Sequence, residues 1–278
     1  MSTRNRIPQL LEPYFRLPPE LSLILLTGTL GCTPTWLTSL YVSSILSPQQ
    51  QQQGEAYTVL LVSWMRDLKF WKTQIRRTTG LDLSKLASEQ RFHFVDCTST
   101  TLQHPSTSKD ILESTVQQMQ SVLSKIESHQ PKSRTILILD NPDILLATAS
   151  TTASNLHQAL LPLRSRVHAT IVSLTADSPF LAAAAAAATE EASKSRFSPV
   201  EVQTSAFVVL MAHAASFVVG VRELLTGAAR DVSGVVRITR GGGAYEGDEA
   251  GDVKEVEALY LVQRDGGVKV FGRGQMGG

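Results

Sequence analysis

Cysteine is nearly missing, with Cys32 and Cys97 the two in 278 residues. That supply supports neither a disulfide framework nor a thiolate zinc site, and it fits a reducing compartment. Excess charge is missing too, since 26 lysines and arginines face 25 acidic residues for a net +1. Bulk electrostatics therefore argues neither for nor against nucleic acid, and an RNA-binding surface has to be a local patch. No apolar run is long enough to cross a bilayer: the run from Leu21 is short, and the longest tract, 180–188, is mainly alanine and reads as a helix. The polar, charged N-terminus resembles neither a signal peptide nor a membrane anchor, so cytoplasmic placement, with the nucleus also open, is expected. The six histidines are scattered, no serine sits in G-x-S-x-G and no H-E-x-x-H occurs. No catalytic residue, metal ligand or cofactor is expected, and His93 and His213 read as packed residues.

What is present is 42% apolar content, enough for a substantial core, and a strand-turn-helix near the N-terminus. The run Leu21 to Thr27 reads as a buried strand that feeds Gly28-Thr29-Leu30-Gly31-Cys32-Thr33-Pro34-Thr35, and a helix-like run from Trp36 to Leu46 follows. That order is the one of a phosphate-binding loop, G-x-x-x-x-G-K-[ST]. Laid on Gly28, the pattern puts Thr33 at the second glycine and Pro34 at the lysine, and only Thr35 survives. Proline brings neither charge nor N–H, and Thr33 carries a Cβ where backbone should approach phosphate. The expectation is a phosphate-loop frame without triphosphatase chemistry; the alternative is an unrelated strand-turn-helix with Pro34 at the first helical position.

A second Walker-like feature is the strand Thr135 to Leu139 ending in Asp140. Its carboxylate could hold a magnesium-bound water, but apolar strands often end in Asp because the following turn favours it, and the structural reading is preferred. Asp96, ending the strand Phe92 to Asp96, is read the same way. Strands are also expected at 57–63, 170–174, 217–221, 235–239, 258–263 and 268–271. Arg264-Asp265-Gly266-Gly267 marks a hairpin between the last two. Helices are expected at 67–77, 109–129 and 154–167, while 200–214 reads as mixed strand or helix. The fold class expected is α/β: a mainly parallel sheet flanked by helices, with antiparallel C-terminal strands. Residues 1–20 are taken as an extension and 21–278 as one domain, with mobile insertions near 47–55, around the glutamine tract, and 241–256.

Arg222, Arg230, Arg237 and Arg240 form the leading basic cluster, because the guanidinium fork suits phosphate; salt bridges to Glu223 and Asp231 are the plain alternative. Phe70-Trp71 beside Arg76-Arg77 reads first as core or subunit interface and second as a base-stacking pair.

Several segments together resemble the sixth subunit of the Elongator complex: Val62-Ser63-Trp64 into Phe70-Trp71 and Arg76-Arg77, Gly80-Leu81-Asp82-Leu83, Arg91-Phe92 through Val95-Asp96, and above all Thr226 through Gly242. The resemblance runs from about Leu21 to Gly242, and the glutamine tract, alanine run and acidic loop depart from it. It implies a RecA-like fold with degenerate Walker motifs, here Gly28, Thr33, Pro34 and Thr35 for the first and Asp140 for the second. It further implies a hexameric ring with paralogous subunits 4 and 5, tRNA binding, and support of the catalytic Elongator subunits in wobble-uridine modification. Two rivals stay open: an active variant NTPase or kinase using Thr35 and Asp140, and a protein scaffold that touches no RNA.

Overall fold

The computed structural model of the chain describes residues 7–47, 56–98, 108–148, 151–178, 181–182, 197–227, 229, 231–244 and 253–272. Its strands are β1 (Ser22–Gly28), β2 (Ala56–Ser63), β3 (Phe92–Asp96), β4 (Ser133–Asp140), β5 (Ala169–Thr175), β6 (Phe217–Arg222), β7 (Gly234–Arg240), β8 (Val256–Val262) and β9 (Val268–Gly272). The helices are α1 (Thr35–Ile45), α2 (Leu68–Thr79), α3 (Leu83–Ser88), α4 (Ser108–His129), α5 (Ile144–Thr148), α6 (Ala153–Arg164) and α7 (Pro199–Ala214). One sheet joins the strands in the order β3-β2-β4-β5-β1-β6-β7-β8-β9. The first six in that order pair in parallel, and β7 to β9 add on antiparallel.

Central strands covered on both sides need apolar residues at every position, and they have them. Ile24 and Leu26 of β1, Val59 and Leu61 of β2, and Ile136 and Ile138 of β4 face one core, closed by Trp36, Leu37 and Tyr41 of α1 and by Trp71 and Ile75 of α2. Leu23, Leu25, Leu60, Val62, Leu137 and Leu139 face the other, closed by α4, α6 and α7 through Met119, Leu160, Phe207 and Met211. Connections running toward β3 thus cross the first face and those running back cross the second, as a single crossover hand demands.

Five details depart from the sequence readings. Residues 199–214 form a single helix whose start is a capping box: the Glu201 N–H donates to Ser198 Oγ and the Ser198 N–H to Glu201 Oε2. Pro34 is the residue before α1, and Thr35 is the first helical position. His213 is exposed at the end of α7. The segment 7–20 contributes Leu11 and Phe15, both fully buried, to the first core. Phe70 and Trp71 part company, since Trp71 is fully buried while Phe70 is 37% exposed. The glutamine tract, 180 and 183–188 of the alanine run and 245–252 of the acidic loop lie outside the described residues.

Candidate functional site

Ligands of open α/β sheets bind beyond the carboxyl ends of the strands, where connections diverge to opposite faces. Here that edge gathers the glycine turn after β1, the β4 end at Asp140, and the β5 end at Thr175. Register explains the gathering: Ser63 of β2 lies beside Asp140, which lies beside Ser173 of β5, and Gly28 lies beside Thr175.

The turn is closed by the chain itself. Its Thr29 N–H donates to the Val221 carbonyl at 3.2 Å and its Cys32 N–H to the Thr29 carbonyl at 2.8 Å. The Leu30 N–H donates to Asp177 Oδ1 at 2.6 Å, so a carboxylate already holds a donor that a phosphate would need. Pro34 has no N–H to offer. Gly31, at φ +84, packs so closely that a Cβ there would stand 2.2 Å from Glu223 Oε1, which brings a second carboxylate against the turn. Gly28 is equally confined, with the Cys32 carbonyl oxygen 2.6 Å from where its Cβ would sit. The surviving Thr35 is buried, and its hydroxyl pairs with the Thr33 hydroxyl at 2.9 Å. Two carboxylates, Asp177 and Glu223, thus lie against the turn, and like charge at that range disfavours a further anion.

Asp140 is likewise spoken for. Arg66, in the loop after β2, donates through Nη1 to Oδ1 at 3.0 Å and to Oδ2 at 3.1 Å. The Ser63 hydroxyl donates to Oδ2 at 2.7 Å and the Ser173 hydroxyl to Oδ1 at 3.1 Å. An ionised carboxyl offers about four lone-pair sites, and four contacts fill them. The charge that a metal would balance is balanced by a guanidinium whose side chain is 16% exposed against 2% for Asp140. Next to this pair, Asn141 adopts φ 55, a left-handed conformation that Asn tolerates. Asp143 accepts the Thr175 N–H at 3.1 Å. Burial pushes the Asp143 carboxyl up to about 6, helped by the charge on Asp140 and opposed by the hydrogen bonds from Thr175 and Asn141. Among the described residues no group of three or more His, Cys, Asp or Glu side chains is placed to hold a metal ion. Asp96 accepts the Thr98 N–H at 2.9 Å, the turn role expected of it.

The basic cluster is divided. Arg222 lies next to Val235, and Arg237 lies between Gly220 and Glu257 across the β6-β7-β8 ladders, so both arginines share the sheet face of Val218. Arg222 donates to Glu257 Oε2 at 3.4 Å. Arg240, an odd number of residues from Arg237, projects to the other face by strand alternation, and its guanidinium donates to the Ala244 carbonyl at 3.4 Å. Arg230 lies outside the described residues.

Sequence reading missed Arg66 and Asp177, and it named Glu223 only as a salt-bridge partner of the arginines, not as a side chain against the turn. No protein-family model matches the chain, and no curated protein matches it.

Proposed function

We propose that this chain is a non-catalytic, RecA-like subunit of the Elongator complex. In this reading it joins subunits 4 and 5 in a hexameric ring, binds tRNA, and supports wobble-uridine modification by the catalytic subunits, in the cytoplasm or also the nucleus. The family assignment rests on the sequence resemblance from Leu21 to Gly242. The RecA-like assignment draws support from the order of strands, in which β5 alone separates the glycine-turn strand β1 from the Asp140 strand β4.

The non-catalytic part is supported by one arrangement: Asp177 accepts the Leu30 N–H of the glycine turn while Arg66 pairs with Asp140. An active NTPase needs loop donors and a carboxylate free for phosphate and metal, and the engaged Thr29, Leu30 and Cys32 N–H groups and the paired Asp140 count against that. Titration calorimetry of the chain with magnesium-ATP tests this, with no binding heat expected at micromolar protein. Micromolar binding that a Thr35→Ala change abolishes would return the protein to the NTPase class. Light scattering of the chain mixed with subunits 4 and 5 tests assembly, and a mass short of six subunits counts against the ring. The scaffold reading gains from the Arg222–Glu257 pair, which spends one expected phosphate contact internally. Unchanged tRNA affinity after replacing Arg222 and Arg237 would mean that these two do not carry RNA.

A further inference from the structure

Among the described residues a second concentration of positive charge, apart from the arginine cluster, lies on α2. Within Leu68–Thr79 stand Lys69, Lys72, Arg76 and Arg77 and no acidic residue, although the whole chain is balanced at 26 basic to 25 acidic residues. The buried side of the helix is settled by Trp71, Ile75, Thr78 and Thr79, so the four cations are left exposed. Lys69, Lys72 and Arg76 follow each other at i, i+3 and i+7 on one stripe, separated along the axis by about 4.5 and 6 Å at 1.5 Å per residue. Phe70, Thr73 and Arg77 form the adjacent stripe. Among the described residues Lys69, Lys72 and Arg76 make no ion pair.

Helix-end electrostatics explains Arg76 and Arg77, since cations favour a helix C-terminus. It does not explain Lys69 and Lys72, which lie in the first half. Nor does it explain the concavity beside them, a depression of about 540 Å³ where α2 meets the start of α3 and the β8–β9 hairpin, lined by Lys72, Thr73, Arg76 and Arg77. Two carboxylates also line it, Asp82 and Asp265, each accepting one backbone N–H, from Ser84 at 2.9 Å and Gly267 at 3.0 Å, so the lining sets three cations, Lys72, Arg76 and Arg77, against two carboxylates. The hairpin wall is fixed to the helix. Arg77 Nη2 donates to the Arg264 carbonyl at 2.6 Å, and a Cβ on Gly266 would meet Arg77 Cγ at 2.5 Å.

Phe70 completes the set. Its ring is partly exposed one turn before the depression, with the Arg66 guanidinium 5.5 Å from its centroid and the Trp71 ring set edge-to-face against it. That guanidinium is itself anchored on buried Asp140, so the ring is backed by a fixed plane. Unpaired cations in a row beside an exposed aromatic face are what a single strand of nucleic acid binds: phosphates on the cations, a base on the ring.

We propose that the exposed face of α2, from Lys69 and Phe70 to Arg76 and the hairpin at Arg264, is the site at which this chain binds single-stranded RNA. The choice of RNA over another polyanion rests on the function proposed above; the location does not. The test is fluorescence anisotropy of a labelled single-stranded RNA oligonucleotide titrated with the full chain at two salt concentrations. Replacing Lys72 and Arg76 together by Ala, both exposed and hence harmless to folding, is expected to weaken binding roughly tenfold and to lower the salt slope by about 1.4, the value for two lost contacts on a single strand. Phe70→Ala is expected to weaken single-stranded RNA several-fold and to leave the salt slope unchanged, because stacking releases no counterions. The pair Arg222→Ala and Arg237→Ala serves as the comparison and keeps its affinity.

Wild-type affinity and slope in the Lys72/Arg76 variant would overturn the location while leaving tRNA binding by the ring intact. Binding by neither the chain nor its ring with subunits 4 and 5 would remove both readings. Loss of subunit association with retained RNA affinity would make the stripe a protein interface and end the proposal.

Discussion

Arg66 decides what Asp140 can be. A buried carboxylate without its cation costs several kcal/mol, whereas replacing both partners by apolar groups of similar volume is often close to neutral. Arg66→Met is therefore expected to lower the unfolding free energy by ~3–5 kcal/mol, and the double variant with Asp140→Leu to regain most of it, measured by urea denaturation. If Asp140 served a metal, the double variant would gain nothing from shedding the carboxylate and the single variant would acquire magnesium-dependent stability. Asp143 tells a second story through pH. Its folded value is raised to about 6 from an ordinary 3.8, so the native state holds a proton that the unfolded chain has already released. A raised carboxyl favours folding fully below the ordinary value, and that contribution is lost as pH rises through about 6. Between pH 5 and 7.5 the wild type should lose roughly 1 kcal/mol that Asp143→Asn does not lose, because the amide oxygen still accepts the Thr175 N–H and no charge develops. Parallel slopes for the two proteins would place the titrating group elsewhere.

At the scale of elements, sequence reading went as far as local periodicity reaches. β2, β3, β4 and β5 were legible as apolar runs of strand length, and the hairpin at 264–267 from its Asp-Gly, because each signal is contained in a few consecutive residues. Helix α7 was harder, since Val200, Val202, Val208 and Val209 are β-branched and blur the helical period. The missing discriminator was present one step upstream: Ser198-Pro199-Val200-Glu201 is the S-x-x-E signature with proline at the first helical position. Ser198→Ala should cost about 1 kcal/mol, read as a shift in the denaturation midpoint, and Ser198→Asn or Asp much less, since either restores the cap acceptor. The departure of Thr33 and Pro34 from the phosphate-loop pattern could be read in sequence, but not which side chains lie against the turn. Asp177 reaches Leu30 across 147 residues and Arg66 reaches Asp140 across 74, and no spacing rule spans such distances. The split of Phe70 from Trp71 was equally closed to sequence, because neighbours on a helix differ by about 100° and only packing fixes which one is inside.

Taken as a whole, the described residues form two cores divided by one sheet, and the segment 7–20 meets the C-terminal strands in the first of them. Leu11 and Phe15 from the N-terminal segment share that core with Phe217, Val219, Ile238 and Tyr260 from the C-terminal strands. Tyr14 donates its hydroxyl to the Lys254 carbonyl, and Trp36 of α1 lies against Tyr260 with ring centroids 5.1 Å apart. β6 to β9 are thus not an appendage, since removing them would strip one edge of β1 and open the core at Trp36. A single sheet with interleaved ends should unfold as one cooperative unit, although the chain is long enough for two domains. The tryptophans allow a test of this, because Trp36 and Trp71 belong to the first core and Trp64 to the second. Urea transitions followed by far-UV circular dichroism, by fluorescence of a variant keeping only Trp64, and by fluorescence of one keeping only Trp71 should share a midpoint, after each variant is referred to its own dichroism curve. A Trp64 signal that survives after Trp71 has become solvated would mean that the two faces melt separately, and the α4–α7 layer would then be a unit able to hold its shape without the α1–α2 layer.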